Sequence, residues 1–475
     1  MLFFYWYNCY MNSLPIEILN QIKTILPPSA ISVESGMLEG YSRDESSLPA
    51  EIPLAVVWPE TAEQVAAVLG LCNQLRIPVT ARGGGSSLEG NSIPSADGIV
   101  LSFEKMKKVL EILPQDFQVR VQPGVVYDDL NKQLARHGLF FAPGPSSGDV
   151  ATIGGMVGNN AGGLNALRYG VTRNHVLRLQ VALADGSLVW YGTRAMKTSS
   201  GFDLVQLMVG SEGLLGIVTE ITLRLHGLPE RLTALAQFNT LDEASQAVFE
   251  VMSSGILPGA LELIDSSSIH HINQYKSWDW SETPTLILEF HGTPAGIQEE
   301  LEIAREICSG LGTLKFEVAA TPAVRDQLWA GRKEITNAEK ALYPDYIMLK
   351  GDIAVPLSQY APTVRYAQEL GEKYGLPISI FGHAGDGNIH WHTLVPPGDV
   401  RALENGEQAA TDLIRFALSV GGTATAEHGI GLAKRQFLVE EHGAAVEVMK
   451  KIKQVLDPNG ILNPGKMFLI TDKPG

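Results

Sequence analysis

Apolar positions in the first half of the chain alternate between helical and strand spacing. Residues 61–64 form a Thr-Ala-Glu-Gln capping box, which predicts the start of a helix. The apolar stripe of this helix follows at Val65, Val68, Leu69, Cys72 and Leu75. A second helix is predicted around Leu130 and Leu134, closed by Gly138. Strands are predicted over residues 77–80, 118–122 and 217–225, the last with one face made by Ile217, Thr219, Ile221, Leu223 and Leu225.

The second half carries a different pattern. A second capping box at residues 240–243 predicts a helix that ends near Gly255. Apolar strands are predicted at residues 260–264, 285–290, 346–355 and 377–381, with helices between them. This order favours a second α+β domain with a mostly antiparallel sheet. We expect the boundary between the two domains near Leu228-Pro229. Residues 1–40 are then an N-terminal extension with a helix, residues 41–228 the first domain and residues 229–470 the second.

Composition narrows the function classes. The formal net charge is -16 at pH 7, which argues against nucleic acid as a partner because a polyanion requires a basic surface. A small anionic substrate would need a local cluster of cations. The three cysteines, Cys9, Cys72 and Cys308, lie far apart and predict neither an iron–sulfur cluster nor a disulfide framework. This pattern fits a reducing cytoplasm.

The N-terminal ten residues are unusual. They are apolar and aromatic but contain no Lys or Arg, which is not typical of a secretory signal. We interpret them as an over-extended start with Met11 as the initiator; a membrane anchor is the alternative. The sequence has no run of 18 apolar residues, so no transmembrane span is predicted. The expected location is cytoplasmic, or peripheral at a membrane.

Glycine and asparagine are concentrated in three segments. The first, Gly83-Gly84-Gly85, follows a predicted strand, and glycine allows backbone amides to approach a phosphate group closely. A tight turn explains the same residues equally well. It is not a G-x-G-x-x-G fingerprint, so a Rossmann nicotinamide site is not supported. Residues 152–170 and 210–218 repeat the pattern, which indicates irregular backbone wrapped around a bound molecule.

Histidines and acids are grouped near the C-terminus. His383 and His390 lie on either side of a Gly-Asp-Gly turn, and Glu427-His428 follow 37 residues later. A hairpin would bring the two histidines together, and imidazole with carboxylate is a ligand set for zinc. Two buried hydrogen-bonding imidazoles are the alternative. Asp386 is expected to shape the turn rather than to bind metal.

Taken in order, these motifs resemble a known family. Residues 81–87, 143–144, 151–155, 160–163 and 210–216 resemble the PCMH-type FAD domain of the vanillyl-alcohol-oxidase fold. Residues 381–390, 426–431, 456–458 and 461–466 are similar to the C-terminal domain of FAD-linked oxidases. Together they resemble the flavin D-2-hydroxyacid dehydrogenases, a group with D-lactate dehydrogenase, the flavin-binding chain of glycolate oxidase and D-2-hydroxyglutarate dehydrogenase. The implied fold class is α+β, with an FAD-binding domain at 41–228 and a substrate domain at 229–470 whose residues 455–470 return to the FAD site.

The resemblance implies a role for each matching residue. A small D-2-hydroxy acid, D-lactate or glycolate, would be oxidised to the 2-oxo acid with hydride passing to flavin N5. His428 would be the base, and His383, His390 and Glu427 would hold one divalent metal, zinc. Arg332, Thr336 and Lys350 would bind the substrate; Arg332 and Thr336, four apart, share one helix face. FAD would contact Arg82, Gly83, Gly84, Gly85, Ser86, Ser87, Pro143, Gly144, Thr152, Gly155, Asn160, Gly162, Glu212, Gly216, Ile217, Val218 and Asn463.

Two departures from the family pattern matter. The first glycine loop lacks the histidine that some relatives use for covalent attachment, so the flavin is expected to be non-covalent. His392 stands where the hydroxyglutarate enzyme has a substrate-binding asparagine, which puts hydroxyglutarate specificity in doubt.

Other functions stay open at this point. They are a D-2-hydroxyglutarate dehydrogenase, an alkyl-glycerone-phosphate synthase and a non-catalytic flavin electron-transfer subunit. Because the cysteines form no cluster, electrons would leave to a separate acceptor: a quinone, a cytochrome or an electron-transfer flavoprotein. The sequence also leaves a homodimer open.

Overall fold

A four-stranded sheet begins the fold. The computed structural model describes residues 13–468, so residues 1–10 and Met11 lie outside the described residues. Two parallel strands flank β4 in the order β1-β2-β4-β3, and β1 adds to β2 antiparallel. The elements are α1 (Ile16–Ile25), β1 (Ile31–Ser32), α2 (Ser35–Gly40), β2 (Ala55–Val57), α3 (Ala62–Leu75), β3 (Val79–Arg82) and β4 (Ile99–Ser102).

The predicted helix and the strand after it are joined by a tight turn. Thr61 caps α3 by accepting a hydrogen bond from the Gln64 amide, as the capping box predicted. The strand predicted at residues 77–80 starts two residues later, at Val79. The reason is that the amide of Ile77 closes the helix end by donating to the Cys72 carbonyl. The strand therefore runs on to Arg82 and delivers the glycine loop directly.

A five-stranded antiparallel sheet follows in the order β5-β6-β10-β8-β9, beside a two-stranded β7–β11 pair. The five residues predicted to share one face of residues 217–225 are all buried. The elements are β5 (Val109–Leu113), β6 (Gln118–Val121), α4 (Tyr127–Leu134), β7 (Leu139–Phe140), α5 (Ile153–Asn159), α6 (Ala166–Tyr169), β8 (Val176–Ala182), β9 (Leu188–Gly192), α7 (Leu204–Met208), β10 (Ile217–Arg224) and β11 (His226–Gly227).

The C-terminal part is built on a seven-stranded sheet of order β15-β12-β14-β13-β17-β18-β16. Every strand pair in it is antiparallel, which confirms the predicted sheet type. Its strands are β12 (Glu230–Gln237), β13 (Ala260–Ile264), β14 (Thr285–Gly292), β15 (Lys315–Val318), β16 (Ile347–Ala354), β17 (Ile378–His383) and β18 (Asn388–Val395).

Eight helices of the described chain follow β11, and the last of them packs on the N-terminal part of the chain. They are α8 (Leu241–Ser253), α9 (Ser266–Lys276), α10 (Pro294–Gly310), α11 (Pro322–Leu342), α12 (Tyr360–Tyr374), α13 (Val400–Ser419), α14 (Leu438–His442) and α15 (Ala445–Leu456). The second capping box is confirmed at Thr240 and Glu243. Short 3-10 turns lie at Pro28–Ala30, Pro114–Asp116, Ala135–His137, Thr172–Asn174, Leu357–Gln359 and Ala384–Asp386. Asp386 therefore belongs to the turn between β17 and β18, as predicted.

The two faces of the seven-stranded sheet differ in chemistry because side chains alternate along a strand. One face is apolar: Leu263, Ile353, Ile380, Ile389 and Trp391 pack in the main core under α8, α10, α12 and α13. The opposite face carries the buried polar residues Glu262, Asp352, His383, His390 and His392 and the partly exposed Lys350. Helices α9 and α11 cover one part of this polar face, and the N-terminal part of the chain covers another. The polar face is therefore where the site lies.

Gly351 lies at a tightly packed position of this sheet, where a substitution can test the packing. It pairs with Trp391 across β16 and β18, and a methyl group on it would overlap the indole ring. We expect Gly351→Ala to destabilise the protein by about 1–3 kcal/mol, the cost of overpacking a filled core. Thermal unfolding followed by calorimetry measures the change. Gly36→Ala in α2 is the control, because a methyl group there meets no atom within 4 Å; equal melting temperatures for the two variants would contradict the prediction.

Candidate functional site

A cavity of about 660 Å³ lies between the two parts of the chain. Its size is in the range of cofactor and substrate sites. The glycine loop after β3, the loop leading into α5 and the segment before β10 form one side. Residues from α11, β16, β17 and β18 and the segment at Glu427 form the other. Both parts of the chain therefore contribute residues to the cavity wall.

Backbone forms much of the wall on the N-terminal side. Gly158 and Gly213 line the cavity, and a methyl group at either position would meet open space. Gly213 also has a positive φ of 72°, which glycine adopts without strain. Gly83 and Gly84 pack against Thr152 and Val150 instead, where a Cβ atom would clash. The glycines therefore bring backbone to the cavity and bring two loops together.

Thirteen of the seventeen residues predicted to contact a flavin line this cavity. They are Arg82, Gly83, Gly84, Gly85, Ser86, Ser87, Thr152, Gly155, Glu212, Gly216, Ile217, Val218 and Asn463.

The other four lie outside the cavity wall. Gly144 accepts a backbone hydrogen bond from Leu164 beside Pro143, and Asn160 ends α5 and accepts from the Arg173 amide. Gly162 leaves room for the carboxylate of Glu427, which a Cβ atom would approach to 2.9 Å.

Glu212 joins the two parts of the chain. Its carboxylate accepts hydrogen bonds from the amides of Ile430 and Gly431, at 2.7 and 2.9 Å, and from Asn91. Burial raises its pKa, although these donors act in the opposite direction. Asn463 bonds to the Glu212 carbonyl from the returning C-terminal segment. Glu212 is therefore placed to fix the segment that carries His428.

His383, His390 and Glu427 converge as the hairpin prediction required. Nε2 of His383 and Nε2 of His390 lie 3.5 and 3.4 Å from the same oxygen, Oε1 of Glu427. Ligand atoms on a tetrahedral ion with bonds of about 2.1 Å are separated by roughly 3.4 Å. The donor set and its spacing therefore fit a divalent ion. The described residues also bring Asp352, His390 and His428 within range of one ion.

Glu262 is a site residue that the sequence analysis missed. It is fully buried, with Oε1 2.5 Å from Nδ1 of His383 and Oε2 accepting from Nε of Arg332 at 2.8 Å. Burial acts against a charge on His383, but Glu262 outweighs it and raises the pKa of His383 well above its usual value. This pair favours a positive charge at the site. The only sequence signal was a single acid within the apolar strand Ala-Leu-Glu-Leu-Ile.

Asp352 was also missed, and it positions the second motif. One of its oxygens accepts from the amides of Ala426, Glu427 and His428, at 2.8, 2.9 and 3.2 Å. Its other oxygen lies 3.6 Å from Nδ1 of His390. The nearby His428, Lys434 and His390 outweigh burial and hold the pKa of Asp352 well below its usual range. A buried carboxylate with several N–H donors is thus the anchor of the Glu427 segment.

The protonation of the two ligand candidates near Asp352 differs. Burial lowers the pKa of His390 to about 4, which keeps its imidazole neutral at pH 7. Burial acts to raise the pKa of Glu427, but His383 and His390 outweigh it and hold it well below its usual range. A neutral imidazole and an ionised carboxylate are the forms that bind metal, so His383, whose pKa Glu262 raises, would have to release a proton when an ion binds.

His428 lies beside this group. Its ring stacks on His390, with centroids 5.3 Å apart, and its Nδ1 atom is 3.6 Å from Glu89. Glu89 in turn pairs with Lys434 at 3.0 Å. Burial disfavours the charged ring, but Asp352 and Glu89 outweigh it and raise the pKa of His428. Glu89 is a further residue that sequence reasoning did not identify.

The predicted substrate-binding residues share the cavity wall. Arg332 and Thr336 lie on one face of α11, and Lys350 reaches the wall from β16. The guanidinium of Arg332 lies over Phe381, 4.8 Å from the ring centroid. His392 also lines the cavity, and its Nδ1 atom is held by Glu339 at 2.5 Å. The cavity wall therefore brings cations and imidazoles together, with His392 opposite Lys350 across β16 and β18.

Family comparisons divide the chain in two. Residues 53–192 match the FAD binding domain family, and residues 228–467 match the FAD linked oxidases, C-terminal domain. The D-lactate dehydrogenase of Archaeoglobus fulgidus is 36% identical and is covered over 98% of its length by 95% of this chain. The mitochondrial D-lactate dehydrogenase (cytochrome) of Arabidopsis thaliana is 35% identical, over 96% of this chain and 80% of that protein. Glycolate oxidase subunit GlcD of Bacillus subtilis is 35% identical, over 90% and 92%.

Solved structures share the fold. p-Cresol methylhydroxylase superposes with a TM-score of 0.79 at 17% identity, over 96% of this chain and 97% of that chain. Alkyldihydroxyacetonephosphate synthase superposes with a TM-score of 0.76, also at 17% identity, over 96% and 86%. Within residues 13–468, no helix is both long and apolar enough to cross a membrane. The two family matches and the full-length relatives establish that this chain belongs to the FAD-linked oxidases, with an FAD-binding domain followed by the C-terminal domain of that family.

Proposed function

We propose that this protein oxidises a small D-2-hydroxy acid, D-lactate or glycolate, to the corresponding 2-oxo acid. One observation carries the proposal: two histidines of the β17–β18 hairpin, the Glu427-His428 segment and Arg332 of α11 lie together, across a cavity from glycine-rich backbone. The named activities of the relatives at 35–36% identity support the same reaction class.

The cationic end of the cavity would bind the substrate carboxylate. The Nε atom of Arg332 is held by Glu262, which leaves the two terminal nitrogens of the guanidinium for a bidentate contact. Thr336, one helical turn along α11, and Lys350 would add a hydroxyl and an ammonium group. Three groups around one carboxylate fix the orientation of C2, and a fixed C2 accepts one configuration.

His428 would take the hydroxyl proton. Asp352 holds its backbone amide, and Glu89, 3.6 Å from Nδ1, would stabilise the positive charge that the ring gains when Nε2 acts as the base. His383, His390 and Glu427 would hold the ion, for which zinc fits the donor set. When bound, the ion supplies a Lewis acid that lowers the pKa of a hydroxyl group, and FAD supplies the acceptor of a hydride.

Electrons would then leave to a separate carrier. Residues 13–468 contain two cysteines, both buried and far apart in sequence, so they do not provide ligands for an iron–sulfur cluster. We infer a cytochrome, a quinone or an electron-transfer flavoprotein as the acceptor. The name of the Arabidopsis thaliana relative includes the word cytochrome, so we favour a cytochrome among these three acceptors. We expect the protein in the cytoplasm, alone or peripheral at a membrane.

Anaerobic flavin bleaching tests the function directly. D-lactate and glycolate should reduce the bound flavin, and L-lactate should reduce it poorly, because the fixed carboxylate and base admit one hand at C2. The absorbance loss near the main flavin band, recorded after rapid mixing, measures each rate. Equal rates with both lactate enantiomers would refute the proposed placement of carboxylate and base.

The flavin should be bound without a covalent link. Among the described residues, the N-terminal side of the cavity contains no Cys, His or Tyr side chain to form one. Acid precipitation should therefore leave a colourless pellet and release the flavin to the supernatant. A yellow pellet after that treatment would contradict the prediction.

The metal site makes a separate prediction. His383→Ala should remove the ion and turnover but leave the flavin bound, because the glycine loops belong to the other part of the chain. Elemental analysis should find about one divalent ion per chain in the wild type and much less in the variant. His442→Ala is the control, since His442 is an exposed histidine that does not line the cavity. Full turnover of a metal-free preparation would exclude a catalytic ion.

Arg332 should be required for substrate. Arg332→Ala should cost about 2–5 kcal/mol in transition-state stabilisation, the scale for truncating one partner of a buried charge pair. The ratio kcat/KM for D-lactate measures the loss, and flavin content checks the fold. Arg325→Ala on the same helix is the control, because Arg325 pairs only with the exposed Asp326. Unchanged kinetics in Arg332→Ala would mean that the carboxylate binds elsewhere.

A further inference from the structure

A short segment of the N-terminal part reaches over the cavity. The amide of Glu45 donates to the Ser87 carbonyl at 3.0 Å, and Asp44 accepts from the Ser87 hydroxyl at 2.8 Å. Arg82 donates to the Arg43 carbonyl at 2.7 Å. These bonds fasten residues 43–45 to the first glycine loop. The backbone, and not the Glu45 side chain, therefore sets where this segment lies.

The Glu45 side chain crosses to the C-terminal part. Its carboxylate pairs with Nζ of Lys340 at 3.0 Å, and its carbonyl lies 3.4 Å from Nζ of Lys350. All three residues line the cavity. Glu45 and Lys340 are each about half exposed, with 55% and 52% of the side chain accessible. An ion pair this exposed contributes little to the free energy of unfolding. Because both side chains line the cavity, we look to ligand binding for the role of the pair.

The cations in the cavity exceed the need of one carboxylate. Arg332, Thr336 and Lys340 recur at intervals of four along α11, and the Lys350 side chain adds to the same end. Glu262 partly neutralises Arg332 at the inner end of this row. Glu45 is the acid at its outer end, where its carboxylate pairs with Lys340 and its backbone carbonyl accepts from Lys350. A substrate with a second carboxylate would place that group at the outer end, on Lys340.

We propose that Glu45 is a specificity-determining residue that excludes dicarboxylic 2-hydroxy acids, because its own carboxylate occupies Lys340, the cation beyond the residues that bind the first carboxylate. The inference rests on the proposed oxidation of a D-2-hydroxy acid and extends it to the substrate class. A monocarboxylic acid binds at Arg332 and leaves the Glu45–Lys340 pair intact. A dicarboxylic acid must displace Glu45 from Lys340 and approach a like charge, which costs affinity.

Rapid-mixing flavin reduction measures this selectivity. D-lactate and D-2-hydroxyglutarate are compared by the ratio of their second-order rate constants for anaerobic reduction. Glu45→Gln removes the charge and keeps the shape, and the ratio should move at least tenfold towards the dicarboxylate. Adding Lys340→Gln to that variant should abolish the gain, because it removes the cation that the second carboxylate would bind. Lys340→Gln alone should move the ratio towards D-lactate.

Glu334→Gln is the matched control. Glu334 lies on α11, as Lys340 does, and forms an ion pair with Lys276 of α9 at 3.2 Å. Neither Glu334 nor Lys276 lines the cavity. This variant should keep the wild-type ratio, and an equal shift in it would overturn the proposal. So would a Glu45→Gln variant that is reduced by D-lactate with an unchanged ratio. A wild-type flavin that no D-2-hydroxy acid reduces would instead overturn the proposed function, and this inference with it.

Discussion

Buried carboxylates that each need a partner organise this site. Glu262, Asp352 and Glu339 are buried, and each faces one histidine of the β17–β18 hairpin: His383, His390 and His392 respectively. An unpaired charge at these positions would be strongly destabilising. Each carboxylate faces the Nδ1 atom of its histidine, and Nε2 of His383 and His390 is directed towards Glu427. If these side chains bind an ion as proposed, residues one layer behind them set their orientation.

The same logic joins the two parts of the chain. Residues 426–431 are held at one end by Asp352 from the C-terminal sheet and at the other by Glu212 from the N-terminal part. Glu427 and His428 lie between these two anchors. A shift of either part would move Glu427 and His428 together. The position of His428 thus depends on how the two parts dock.

Local patterns in the sequence were sufficient for elements and for groups close in sequence. Period-two alternation predicted the strand at 217–225, an apolar run predicted the strand at 260–264, and the turn between His383 and His390 predicted that they would meet. The predicted start and end positions of the elements were less accurate. The strand predicted from residue 77 begins at Val79, because the amide of Ile77 bonds to the end of helix α3. The partners Glu262 and Asp352 were missed because they lie 121 residues from His383 and 76 residues from His428. Only the register of a folded sheet brings such residues together.

The long return of the chain to the cavity has a consequence for folding. Asn463 bonds to Asn91 and Glu212, which precede it by 372 and 251 residues. Contacts of such sequence separation form late, because ordering a long intervening loop costs entropy before the contact is gained. During synthesis the glycine loops emerge hundreds of residues before the segment that completes their wall. The cavity wall is therefore complete only when the chain has left the ribosome as far as Asn463, and a nascent chain that ends before this residue lacks part of the wall.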